Sequence, residues 1–197
     1  MLIVRLYLGH SVRMTKPSVR DLPLVKKILK EKKMNSKSSN RVLSLVQAAM
    51  IAALYVVLTF IANALGLASS VIQIRFSEAL TILPYFTPAA VPGLFIGCLL
   101  SNILTGCTLP DILFGSLATL LGAVFTQKLR KYKWLAPVPP IVANAVIVPF
   151  VLLYAYGIQP LWFSFITVTI GEFISCGILG MLLLFVLQKY AGRLFYR

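Results

Sequence analysis

Charge is scarce in this 197-residue chain. Only 12% of residues are charged, against roughly a quarter in soluble domains, and this excludes an ordinary water-soluble globule. Acids are rarer still, at 5 Asp+Glu against 19 Lys+Arg. Histidine occurs once, as His10 near the start, so histidine catalysis or metal ligation within the apolar body is excluded. The three cysteines, Cys98, Cys107 and Cys176, show neither metal-ligand spacing nor an extracellular disulfide pattern. They read as small apolar packing residues. No phosphate-binding G-x-x-x-x-G-K-[ST] loop, G-x-S-x-G elbow or H-E-x-x-H pair occurs, which excludes ATP hydrolysis and hydrolase chemistry by those routes. The embedded acids are too few and too scattered for the clustered carboxylate metal sites of lipid-modifying transferases. No catalytic residue, cofactor or metal is expected.

What the chain has instead is long apolar sequence. Val42–Gln127 contains only Arg75, Glu78 and Asp111 as charged residues, and Trp134–Gln188 contains only Glu172. A helix crosses the hydrocarbon core in about 20 apolar residues, so these blocks belong in a membrane. The net charge of +14 then reads as topology rather than as a nucleic-acid footprint.

Three regions follow. Residues 1–41 form a basic leader with eleven Lys/Arg. Met1–Leu8 is too short for a signal-peptide core and carries Arg5. Met34 is a second possible start, and residues 1–33 read as dispensable. The alternative for the leader is an amphipathic helix over 19–33 on the inner leaflet. Residues 42–188 form an all-α, polytopic six-helix transmembrane domain, and 189–197 a basic tail. The six helices are expected at about 42–65, 72–86, 91–105, 111–129, 136–156 and 161–188, with Gly66, Pro88, Gly106 and Gly157 among the breakers. Short cytoplasmic loops collect Lys and Arg. With six crossings and both termini inside, eighteen of nineteen basic residues fall on one side.

Ionisable groups in a bilayer are costly, so each is a functional candidate. Glu172 lies mid-helix behind Gly171. Arg75 and Glu78, three apart, either pair with each other or line a site open to the outside. Asp111 after Pro110 reads as a helix N-cap. Asn102 and Asn144 serve either as interhelical glue or as ligand contacts. Tyr132, Trp134, Tyr156 and Trp162 read as interfacial anchors. Ala48, Ala49, Ala52 and Ala53 give two overlapping small-xxx-small pairs, and Gly93 and Gly97 repeat the spacing. A polar site open outside and closed below suits capture of a small solute better than a pore, because no charged rings repeat.

The stretch from Ile72 to Asn102, with its Arg75-Phe-Ser-Glu78 and Pro84…Pro88…Pro92 pattern, resembles the QueT family of queuosine-precursor transporters. So do Asp111–Leu121, Leu135–Asn144 and Gly171-Glu172. The resemblance covers about 41–188. It implies a six-helix substrate-binding (S) component of an energy-coupling factor (ECF) importer in the cell membrane. Such a subunit docks on a transmembrane coupling subunit that carries two ATPase subunits. On this resemblance Ala48, Ala52, Ala49 and Ala53 form the docking face, and the substrate is a 7-deazaguanine, preQ1 or preQ0. Glu172 and Glu78 are then the main ligand contacts, with Asn144, Asn102 and Arg75 assisting. Tyr85, Phe86 or Trp162 are candidates for stacking on the heterocycle. The alternative is a stand-alone carrier for a vitamin-like heterocycle.

Overall fold

The computed structural model describes residues 23–67 and 72–194. Every regular element among them is helical. The chain divides into two units, 1–42 and 43–197. In the first, helix is assigned from Pro23, and Leu24 is exposed. Of the expected leaflet helix over 19–33, residues 23–33 are helical and 19–22 lie outside the described residues, as do residues 1–22 of the segment expected to be dispensable.

The second unit is an all-helical membrane domain. Helix α1 (Pro23–Ala64) contributes its C-terminal half to it. A 3₁₀ helix follows at Phe76–Tyr85, then α2 (Ala90–Leu104), a π-helical turn (Asp111–Gly115) and α3 (Ser116–Lys128). Next come α4 (Val138–Tyr156), α5 (Leu161–Glu172), a second π-helical segment (Phe173–Leu179) and α6 (Gly180–Leu194). Helical segments thus occupy all six expected stretches. Three are long and apolar enough to cross a bilayer: Ser38–Ala64, Lys133–Tyr156 and Leu161–Ala191. Helix α2, at 15 residues, is a shorter apolar helix.

The second stretch departs from expectation. It is a 3₁₀ helix of 10 residues, and at ~2.0 Å per residue it is only about 20 Å long. Pro84 within it removes an amide donor. Seven of its residues, including Glu78, are buried, so neighbouring helices enclose it.

Helix ends follow local chemistry. Gly66 closes α1 at φ +70°. The Gly66 amide donates to Asn63 O at 2.9 Å and the Leu67 amide to Ala62 O at 3.0 Å, a Schellman pair that only a left-handed residue permits without strain. Gly106 ends α2 in the same way.

Lipid tails are as apolar as leucine, so helices in a membrane associate by close packing rather than hydrophobic exclusion. Gly93 and Gly97 of α2 provide it. A Cβ on Gly93 would lie 2.7 Å from Ala48 O, and one on Gly97 would lie 2.7 Å from Tyr55 Cβ and 3.0 Å from Ala52 Cα. Ala48 and Ala52 are accordingly buried, while Ala49 and Ala53 are exposed. The four alanines therefore do not form one docking face. Two are committed to α2. Gly97→Ala is expected to destabilise the fold by about 1–3 kcal/mol, as overpacking does. It should lower the thermal unfolding midpoint in detergent, and an unchanged midpoint would mean that α1 and α2 do not meet at this point.

The outer surface carries large apolar side chains such as Leu45, Leu54, Phe114, Val142, Phe173 and Leu182, as a lipid-facing surface requires. Tyr132, Trp134 and Trp162 are exposed near helix ends, where aromatic anchors sit.

Candidate functional site

Polar residues that the sequence scatters over a hundred positions converge in two layers. The upper layer is a cavity of about 250 Å³. Arg75, Asn102, Asp111, Gln73, Tyr55 and Tyr156 contribute its polar and aromatic walls. Thr59, at its edge, donates to Ser77 Oγ at 2.9 Å.

Arg75 does not pair with Glu78. It stands just before the 3₁₀ helix, where its carbonyl accepts the Glu78 amide at 3.1 Å. Its guanidinium donates to Gln73 Oε1 at 3.4 Å. Among acidic groups its charge acts most strongly on Asp111 and then on Glu78. The segment leading to Arg75 is fixed from below. The Arg75 amide donates to Ser175 Oγ at 3.1 Å, and Gln73 lies on Gly171, where a Cβ would come within 2.3 Å of the Gln73 carbonyl oxygen. The glycine before Glu172 is thus needed for the chain that carries Arg75.

Asp111 is no cap. It is the first residue of a π-helical turn with no side-chain cap hydrogen bond, and its Oδ2 accepts from the Tyr156 hydroxyl at 3.2 Å. That same hydroxyl accepts the Thr108 amide at 3.3 Å, so Tyr156 is a cavity residue that ties the end of α4 to the approach of α3. Asn102 serves as glue within the wall, its amide donating to Asp111 O at 3.4 Å.

The lower layer holds Glu78, Glu172 and Asn144. Glu78 is 1% exposed, Asn144 3% and Glu172 8%. They come from the 3₁₀ helix, α4 and the end of α5. The Tyr55 hydroxyl donates to Glu78 Oε1. Since Tyr55 also lines the cavity, it forms the partition between the layers. Glu172 Oε2 accepts from the Cys176 thiol at 3.2 Å. Ligand atoms of Glu78, Glu172 and Cys176 all lie within 4.8 Å of one another. Glu78 Oε2 and Asn144 Nδ2 are buried without a hydrogen-bond partner, although the Asn144 amide faces both carboxylates. Unmet donors and acceptors of this kind are costly in a dry interior.

Both π-helical segments adjoin these groups, one beginning at Asp111 and the other directly after Glu172. Such bulges recur at functional sites because they re-aim side chains within an otherwise regular helix.

The five ligand candidates therefore separate, with Arg75 and Asn102 in the cavity wall and Glu78, Glu172 and Asn144 outside its lining. The aromatic candidates fall elsewhere. Tyr85 and Phe86 stack edge-to-face at 5.0 Å against buried core residues, and Trp162 is 64% exposed. The aromatics of the cavity are Tyr55 and Tyr156. Tyr55 left no signal in sequence beyond being a polar-tipped residue in an uncharged helix.

The family model described as "QueT transporter" matches residues 45–189. A curated relative, "Queuosine precursor transporter QueT" of Lactococcus lactis subsp. cremoris (strain MG1363), is 34% identical over 95 residues. That match covers 46% of this chain and 56% of the relative. No solved structure matches. A family match across nearly all of the apolar body, on a chain whose helices enclose a polar cavity, places this membrane protein in the QueT transporter family.

Proposed function

We propose that this chain is the substrate-binding membrane subunit of an ATP-driven importer of the energy-coupling factor type, and that its substrate is a queuosine precursor, a 7-deazaguanine such as preQ1 or preQ0. The observation that carries the reading is the polar cavity whose wall residue Tyr55 donates to Glu78 of the buried Glu78–Glu172 pair. The name of the lactococcal relative supports the substrate. A guanine-like edge offers N–H donors beside a carbonyl acceptor. The open valences, Glu78 Oε2 as acceptor and Asn144 Nδ2 as donor, match such an edge in kind. Tyr55 and Tyr156 supply flat faces for the rings.

In this reading the domain crosses the membrane six times, with both termini cytoplasmic and the cavity facing outward. ATP hydrolysis belongs to two partner ATPases joined through a transmembrane coupling subunit, consistent with the missing phosphate loop in this chain. The test is titration of the purified protein with both 7-deazaguanines. Glu78→Gln and Glu172→Gln each keep shape but remove a charge, and each is expected to weaken binding about 30-fold or more. If both variants keep wild-type affinity, the site lies elsewhere.

A further inference from the structure

The lipid-facing surface is interrupted by a groove of about 340 Å³. Leu58 of α1, Phe76 and Ala79 of the 3₁₀ helix, Leu179 at the end of the second π-helical segment, and Leu182 and Val186 of α6 help to line it. Every lining residue is apolar. Small residues bring its walls together. The Ala79 carbonyl oxygen lies 3.5 Å from where a Gly180 Cβ would stand, so the 3₁₀ helix sits close against the start of α6. Leu182 and Val186 are more than half exposed.

One end of this face carries positive charge. Leu182, Val186 and Lys189 stand at i, i+4 and i+7 on α6, hence on one side of the helix, and Lys189 is exposed. Phe185, at i+3, meets the Trp134 ring at 5.6 Å. The Lys133 ammonium lies 5.3 Å from the Trp134 centroid and 5.7 Å from that of Phe185, where cation–π attraction holds it. Lys128, Arg130 and Lys131 belong to the same loop, and no acid occurs in 112–171 or 173–197. Glu172, between these stretches, is buried.

We propose that an anionic glycerophospholipid binds here, with an acyl chain in the groove and its phosphate against Lys133 and Lys189. The lengths agree. Leu179 and Lys189 are ten residues apart (189 − 179), about 15 Å at 1.5 Å per residue. That is one leaflet's half of the ~30 Å hydrocarbon core. A chain filling the groove therefore brings its headgroup to the level of the two lysines. Trp134, 67% exposed, stands at that level as an interfacial ring. Charge decides the lipid class, since each cation near the surface favours an anionic headgroup about 5-fold. The groove shares no lining residue with the solute cavity, so the lipid site stands whichever solute the chain carries.

The test reads Trp134 fluorescence in the full chain carrying Trp162→Phe, which leaves Trp134 as its one tryptophan. The protein is reconstituted in vesicles of phosphatidylcholine and phosphatidylglycerol, with bromine on the acyl chains of one lipid or the other. Brominated phosphatidylglycerol is expected to quench with a relative association constant at least about 5-fold above that of brominated phosphatidylcholine. Lys133→Gln with Lys189→Gln should bring the ratio below about 2-fold. Val186→Phe fills the groove, leaves both cations and should lower the ratio as well. A full preference in that variant overturns the acyl-chain site. Inorganic phosphate, compared with chloride at equal ionic strength, should leave the ratio unchanged. If it lowers the ratio, the lysines bind free phosphate and the lipid assignment fails. Equal quenching by the two lipids overturns the proposal. Quenching by neither means that a second copy of the chain covers this face, and overturns it too.

Discussion

Gly171→Ala is expected to abolish high-affinity ligand binding, lowering affinity about 100-fold. A glycine within a helix normally gains about 1 kcal/mol of helix stability on conversion to alanine, so propensity alone predicts a harmless change. The contact predicts the opposite. The new Cβ would lie 2.3 Å from the Gln73 carbonyl oxygen and 3.2 Å from its carbon. Both are backbone atoms, with no rotamer to turn aside. The segment must move by about 1 Å to reach ordinary contact, and misplacement on that scale is enough to cost two orders of magnitude at a positioned site. Gln73 and Arg75 ride on this segment into the cavity wall, and the Arg75–Ser175 hydrogen bond is strained with it.

Gly177→Ala is the internal control. It lies six residues further along the same run of helix, where a Cβ would meet only the Phe173 ring, at 3.4 Å. Binding there should stay within about 3-fold, since nothing is displaced. Titration calorimetry of the two variants in detergent checks both. Gly171→Ala binding at near wild-type strength would mean that the 72–75 segment is not seated on α5.

How far the sequence reveals such contacts depends on their range. Charge spacing and breakers located the helical stretches to within a few residues, because hydropathy, proline and glycine act locally; the exception is the start of α1, which is helical from Pro23 rather than from Val42, since a charged helix outside the apolar block leaves no hydropathy signal. The 3₁₀ form of Phe76–Tyr85 was not legible, since its tight winding goes with burial among helices far away in sequence. The rarity of embedded charge marked Glu78 and Glu172, and the fold brings them together across 94 positions (172 − 78). The pairing of Arg75 with Glu78 at i,i+3 assumed a regular helix with no competitor. Tyr55, arriving from α1, takes Glu78 instead. Asp111 looked like a cap for the same reason: its partner, Tyr156, lies 45 residues away. Tyrosines near helix ends look alike in sequence whether they anchor in the interface or line a cavity, which is why Tyr156 read like Trp162.

Enlarging Ala49 and Ala53 should separate transport from binding. The Ala49→Leu/Ala53→Leu double variant is expected to reduce uptake at least 30-fold while the ligand Kd changes less than 2-fold. The two alanines are exposed, and Val46, Met50 and Val57 are exposed around them at helical spacing that puts all five on one face. Fluid lipid accommodates a larger side chain at little cost, so the isolated subunit should fold and bind as before. A packed protein helix cannot yield in that way, because small residues are what allow backbones to approach. Uptake therefore senses the change only if a rigid partner docks there. Ala48→Leu and Ala52→Leu behave differently, since both are buried against α2 and would force it from Tyr55. They are expected to lose binding and uptake together. Uptake in cells that express the coupling module, paired with calorimetry on each purified variant, distinguishes the cases. Full uptake by the Ala49→Leu/Ala53→Leu variant would remove this face from the docking surface. Uptake in liposomes by the chain alone would remove the partner altogether and favour a self-sufficient carrier.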